Sequence, residues 1–158
     1  MLDKTLETKR LLLISPELLA ILVITALLLK YPRFFESISL STWGADGIPS
    51  LIVGLPFVLT GVAYKIGKTI LRPGVDEEEN KKLYEWPLYW ALELRVYSSM
   101  LICAACAVAA TIFYLKPFDW GASTYGAIFL GSLSISLIAT FPIILGSMTI
   151  RKIMTMHG

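Results

Sequence analysis

Residues 96–115 read VYSSMLICAACAVAATIFYL, an unbroken stretch without one charged side chain. A helix needs roughly 20 mostly apolar residues to cross the ~30 Å hydrocarbon core of a bilayer. This stretch meets that length, and a soluble domain would scatter charges through it. Upstream the pattern continues to Leu88 without a helix breaker. A helix over 88–115 would measure about 42 Å at 1.5 Å per residue, so it must tilt or project beyond the core.

Working outward, three further runs have the same character: 11–30, 48–70 and 125–150. Hydrophobic residues make up 56% of the 158, charged residues only 16%, and the charges gather between the runs. The runs are continuously apolar rather than alternating, which excludes the strands of a barrel, and lipid offers no partner to an open sheet edge. The sequence therefore predicts an all-α membrane protein forming one domain over 1–158. Its four transmembrane helices make two helical hairpins, with the third helix extended into the cytoplasm and a cytoplasmic connection over about 72–90. Lys9 and Arg10 before the first run resemble the basic start of a signal peptide. That run ends in Lys30-Tyr31-Pro32-Arg33 instead of a small-residue cleavage site, so it reads as a retained helix.

Basic residues orient the helices, because cytoplasmic connections carry the excess of Lys and Arg. Lys4, Lys9 and Arg10 lie before the first run, and Lys65, Lys68, Arg72, Lys81, Lys82 and Arg95 border the middle connection. Arg151 and Lys152 follow the last run, while the two hairpin loops hold Lys30, Arg33 and Lys116. Eleven against three places both termini and the middle connection in the cytoplasm, with the chain in the inner (plasma) membrane. The net charge of +2 is then a topology signal, and no direct nucleic-acid binding is expected. Pro32 and Pro56 in the first half recur as Pro117 and Pro142 in the second, consistent with two hairpins of like orientation.

Small residues let helix backbones approach in lipid. Gly47, Gly54 and Gly61 recur every seven residues, and Ser132, Ser136 and Thr140 every four. The third helix adds Cys103, Ala104, Ala105, Cys106, Ala107, Ala109 and Ala110. These stripes seat the helices within one subunit or face a neighbouring copy; the expectation is a homo-oligomer. Cys103-Ala-Ala-Cys106 has the spacing of a redox pair. The four-pass quinone-linked thiol oxidoreductases use a second cysteine pair, which this chain lacks, and an apolar setting disfavours the thiolate. Packing is the better account.

The inventory is poor in chemistry. His157 is the only histidine, so paired haem ligands and Ser–His or Cys–His arrangements are missing. A glycine-rich phosphate loop is missing too, and Asp46 and Asp119 lie in short outer loops. No enzyme, metal or cofactor is expected. Glu17 follows Ser15-Pro16, which reads as an N-cap, a first-turn proline and an acid at the positive helix end. A helix beginning at Leu11 would instead carry Glu17 deeper, to a cationic partner such as Lys65.

The middle connection is the least ordinary segment. Pro73-Gly74 ends the second helix, Asp76-Glu77-Glu78-Glu79 opens a short helical stretch ahead of Lys81 and Lys82, and Pro87 restarts the chain. Trp86, Tyr89, Trp90, Glu93 and Tyr97 follow at helical spacing, so they share one face, with Tyr84 beside them. Such aromatics form a headgroup belt or anchor a protein interface; a cytosolic protein partner docked here is expected alongside the belt. Lys65, Lys68 and Arg72 are candidates to hold anionic lipid. On the outer side, 33–47 and 118–124 read as loops whose Phe34, Phe35, Trp43, Phe118 and Trp120 anchor the interface.

Two functional classes follow. One is a non-enzymatic membrane subunit that oligomerises and docks or regulates a cytosolic partner, relaying a membrane disturbance to it. The other is a small oligomeric pore or channel lined by Ser132, Ser134, Ser136 and Thr140, although a helix hydroxyl can bond its own backbone and no charged ring sets selectivity. In span count, size, cytoplasmic termini and partner-facing middle loop the chain resembles the four-pass membrane subunit of the bacterial Kiwa anti-phage system. That resemblance implies a membrane sensor in antiviral defence working with a cytosolic DNA-binding partner. Colicin-type immunity proteins are similar in size and span count.

Overall fold

The computed structural model describes residues 15–44, 54–73, 80–81, 84–85 and 89–156, with 43–44 and 149–156 described by backbone alone. Every element among them longer than a turn is a helix: α1 Pro16–Lys30, α2 Pro32–Gly44, α3 Leu55–Leu71, α4 Tyr89–Leu115 and α5 Ala122–Met156. Two of these, α4 and α5, are long and apolar enough to cross a membrane, and a third span exists if the bent pair of α1 and α2 is one broken span. The first residues of two expected runs, 11–14 and 48–53, lie outside the described residues.

α1 starts where its sequence provides a cap. The Ser15 hydroxyl accepts the backbone N–H of Leu18 at 3.2 Å, Pro16 occupies the first turn with Glu17 beside it, and Tyr31 leaves helical geometry at φ −131° and ψ 58°. Pro32 then starts α2, bent 99° from α1. This corrects the expected outer loop over 33–47, of which 33–44 is helical. Phe35, Ile38, Ser39 and Thr42 sit at i, i+3, i+4 and i+7, and they are the buried or half-buried positions of α2. That stripe seats α2 on α5, where packing stabilises a helix too short and too polar to hold by itself.

α5 is the hub, since each of the other four helices packs on it. Two clusters fill the space around it. Toward one end, Ala63 and Ile70 of α3, Val96 and Cys103 of α4, and Ala139 and Ile143 of α5 form a core. Toward the other, Ala110 and Phe113 of α4 meet Tyr125 and Phe129 of α5, with Ile38 of α2 against them; the Phe113 and Phe129 rings stack at 4.6 Å. The bundle thus uses α3 to complete one half and α2 to complete the other. The two halves of the chain also differ, because Pro56 stands in the first turn of α3 whereas Pro142 lies inside a continuous α5.

Close approach is set by glycines off the expected stripe. A Cβ at Gly67 would collide with Met100 and stand 2.8 Å from Val96 Cγ1, marking the α3–α4 contact. A Cβ at Gly126 would be driven into the Phe35 carbonyl, marking the α2–α5 crossing. Between α4 and α5, Lys116 takes φ 48° to turn the chain. The Tyr125 hydroxyl ties that turn down, donating to the Phe118 carbonyl and accepting its N–H at 3.3 Å.

Candidate functional site

The last turns of α3 and the first turns of α1 and α4 gather along α5 at one end of the bundle. The Gly67 contact with Val96 and Met100 sets the last turns of α3 beside the start of α4. Ile70 lies 3.9 Å from the Cβ position of Gly146, ten residues before the end of α5. Arg95 of α4 forks onto Glu17 at the start of α1, Nη2 to Oε1 at 2.6 Å and Nη1 to Oε2 at 3.1 Å. At 27 and 35 residues, α4 and α5 measure about 40 and 52 Å. Both exceed a ~30 Å core and have length to spare for this end.

Here the expected aromatic face divides. Tyr89 turns inward and packs with Leu92 against the α3–α4–α5 core, while Trp90 and Glu93 are half-buried. Tyr97 is 55% exposed and Tyr84 is 45% exposed. Tyr84 sets its ring edge-on to Tyr89 at 5.1 Å, which joins an outward aromatic to an anchored one. Trp86 lies outside the described residues, as do Asp76, Glu77, Glu78, Glu79, Lys82 and Pro87. Lys65, Lys68 and Arg72 are exposed along the last two turns of α3, level with this face through the Gly67 contact. They form an exposed cationic stripe at i, i+3 and i+7, suited to phosphate headgroups or an acidic protein surface.

The small-residue stripes separate. Gly54 is the N-cap residue of α3, Gly61 has nothing within 4 Å of its Cβ position, and Gly47 lies outside the described residues. Gly67, six residues beyond Gly61, makes the close approach instead. On α5, Ser132, Ser136 and Thr140 are all buried. Their hydroxyls donate to the backbone carbonyls of Phe129, Leu133 and Ser136, so these donors are already engaged and face the chain's own interior. Cys103 and Cys106 are buried free thiols, with Cys103 Sγ 3.4 Å from Thr140 Oγ1. The pair belongs to the α4–α5 seam.

The Glu17–Arg95 pair is the feature that sequence reasoning missed. The start of α1 at Ser15 matches the capped alternative, yet Glu17 is only 2% exposed and its partner is Arg95 rather than Lys65. A single clue was present, as Glu17 is the one charge within 11–29 and Arg95 is the last charge before the apolar run 96–115. Beyond the pair, α1 and α4 diverge over α5 and leave an apolar groove of about 450 Å³, walled by Ile21 and Thr25 on one side and Ala105 and Ala109 on the other. Among the described residues no three His, Cys, Asp or Glu side chains gather as a metal site would require. No family model, curated protein or solved structure matches the chain.

Proposed function

We propose that the chain is a non-enzymatic, multi-pass subunit of the inner (plasma) membrane that forms a homo-oligomer and docks or regulates a cytosolic protein. In this proposal it crosses the bilayer four times as two hairpins, α3 being the described part of the span over 48–70. Both termini and the connection over about 72–90 then face the cytoplasm. One observation carries it: Tyr84, Tyr97, Lys65, Lys68 and Arg72 are all exposed, on segments that the Gly67 contact between α3 and α4 and the Tyr84–Tyr89 ring contact bring to one end of the bundle. Rigid aromatics flanked by cations on a framework of helix ends suit a protein surface and the headgroups around it. Relay of a membrane disturbance to the docked protein, as a membrane sensor in anti-phage defence would perform, fits the same arrangement. A pore is the weaker alternative because three of the four α5 hydroxyls that would line it, those of Ser132, Ser136 and Thr140, are engaged with their own helix.

The test is co-purification of cytosolic proteins with the tagged chain and with Trp86→Ala plus Trp90→Ala. Interface anchors are worth about 2 kcal/mol or more each, so the double variant should bind roughly a thousandfold more weakly while its membrane level and oligomer are unchanged. A partner that stays bound while the oligomer dissociates would assign these residues to subunit packing and defeat the proposal.

A further inference from the structure

α1 is attached to the bundle in an unusual way. Glu17 is its one buried residue; its remaining side chains are half-buried or exposed, including Leu19, Leu22 and Leu29. At the far end the chain leaves helical geometry at Tyr31 and bends 99° into α2. α2 is itself fixed on α5 through Phe35 and Gly126. Between the bend and Glu17, α1 stands off from α4 across the groove, where α4 presents Ala105 and Ala109. Ile102 is the one long α4 side chain at the groove, and the small ones beside it leave little dispersion attraction between the two helices.

We propose that the Glu17–Arg95 pair is a latch that holds α1 against α4 and sets the width of the groove between them, with Tyr31 as the hinge. The two-pronged contact fixes orientation as well as distance, because a planar guanidinium meets a carboxylate through two parallel N–H donors. Neither charge tolerates burial without the other. The pair therefore exchanges between two conditions, joined with the groove narrow, or both hydrated at the membrane surface with α1 swung outward. Arg95 has the access to water that this exchange needs, its side chain being 30% exposed. Opening would widen the groove for lipid along the alanine wall of α4, where Ala105 is already exposed and Ala109 half-buried.

Spin labels at Leu22 and Val108, both exposed, would report the α1–α4 separation in lipid nanodiscs, in a Cys103→Ala, Cys106→Ala background. Diluted with unlabelled copies so that distances within one subunit are read, the parent should give one narrow distance distribution. Glu17→Gln should broaden it and shift it outward, and the swap of Glu17→Arg with Arg95→Glu should narrow it again. Should Glu17→Gln fail to reach the membrane, Arg95→Lys is measured in its place; it keeps the charge, loses the fork, and should also broaden the distribution. A variant whose distribution matches the parent's overturns the proposal, even if its melting temperature falls, since that result describes a pair that only stabilises.

Discussion

Gly126 of α5 lies under the backbone of Phe35 of α2, its Cβ position 2.7 Å from the Phe35 carbonyl carbon. The two helices meet here main chain to main chain, and the obstacle to any side chain is backbone that cannot rotate away. Gly126→Ala should therefore destabilise the protein by about 1–3 kcal/mol, the usual cost of overpacking. Gly131→Ala is the control, since its nearest neighbour is the Ile24 side chain at 3.9 Å. Unfolding of both variants in detergent would decide it; equal stability would mean that α2 is not seated on α5.

Tyr125→Phe removes the hydroxyl that serves both the carbonyl and the N–H of Phe118. Those groups lie in an exposed turn and regain water, so the expected loss is only about 0.5–1.5 kcal/mol. Amide hydrogen exchange should quicken over residues 116–121 and stay unchanged in α3. Unchanged protection in the turn would show that the stacked Phe118 and Trp120 rings hold it without the tyrosine.

Replacing Cys103 and Cys106 with alanine together should leave membrane level, oligomer and partner binding intact, with a stability loss of about 1 kcal/mol per site from the small voids. Both thiols are buried and unpaired. Loss of function at normal membrane level would give the cysteines a redox role.

Neutralising Lys65, Lys68 and Arg72 to glutamine should strip anionic lipid from the purified protein, each charge being worth about 1 kcal/mol near an anionic surface. Native mass spectrometry reads the retained lipid directly. Retention equal to the parent's would move the lipid site elsewhere.

Lys81→Cys and Asp119→Cys, both at exposed positions, test the topology in the background lacking the native cysteines. An impermeant thiol reagent should label residue 119 in intact cells and residue 81 only after permeabilisation. The opposite pattern would invert the assignment.

What the sequence revealed and concealed follows from the range of the forces involved. The runs around 96–115 and 125–150 were legible because a membrane span depends on composition over a whole helix, and α4 and α5 appear where those runs lie. α2 was concealed because two of its four inward positions, Ser39 and Thr42, carry hydroxyls, so no apolar period stood out. Gly67 and Gly126 could not be distinguished from other glycines, since their importance depends on which helix crosses them. Glu17 and Arg95 were each conspicuous alone. Their union across 78 positions is a product of the tertiary fold.

That separation also has a meaning in time. Chains emerge from the ribosome at about 5–20 residues per second, so Glu17 precedes Arg95 by roughly 4–16 s. During that wait its carboxylate lacks the Arg95 fork, and hydration at the membrane surface is its cheapest condition. The first helix should therefore settle fully only after the third apolar run is made. Translation halted just before and just after Arg95 leaves the ribosome would reveal this as a change in the depth of α1, and an identical depth at both lengths would contradict it. α5, on which the other described helices rest, follows them in the chain, so the earlier helices remain provisional until it is made.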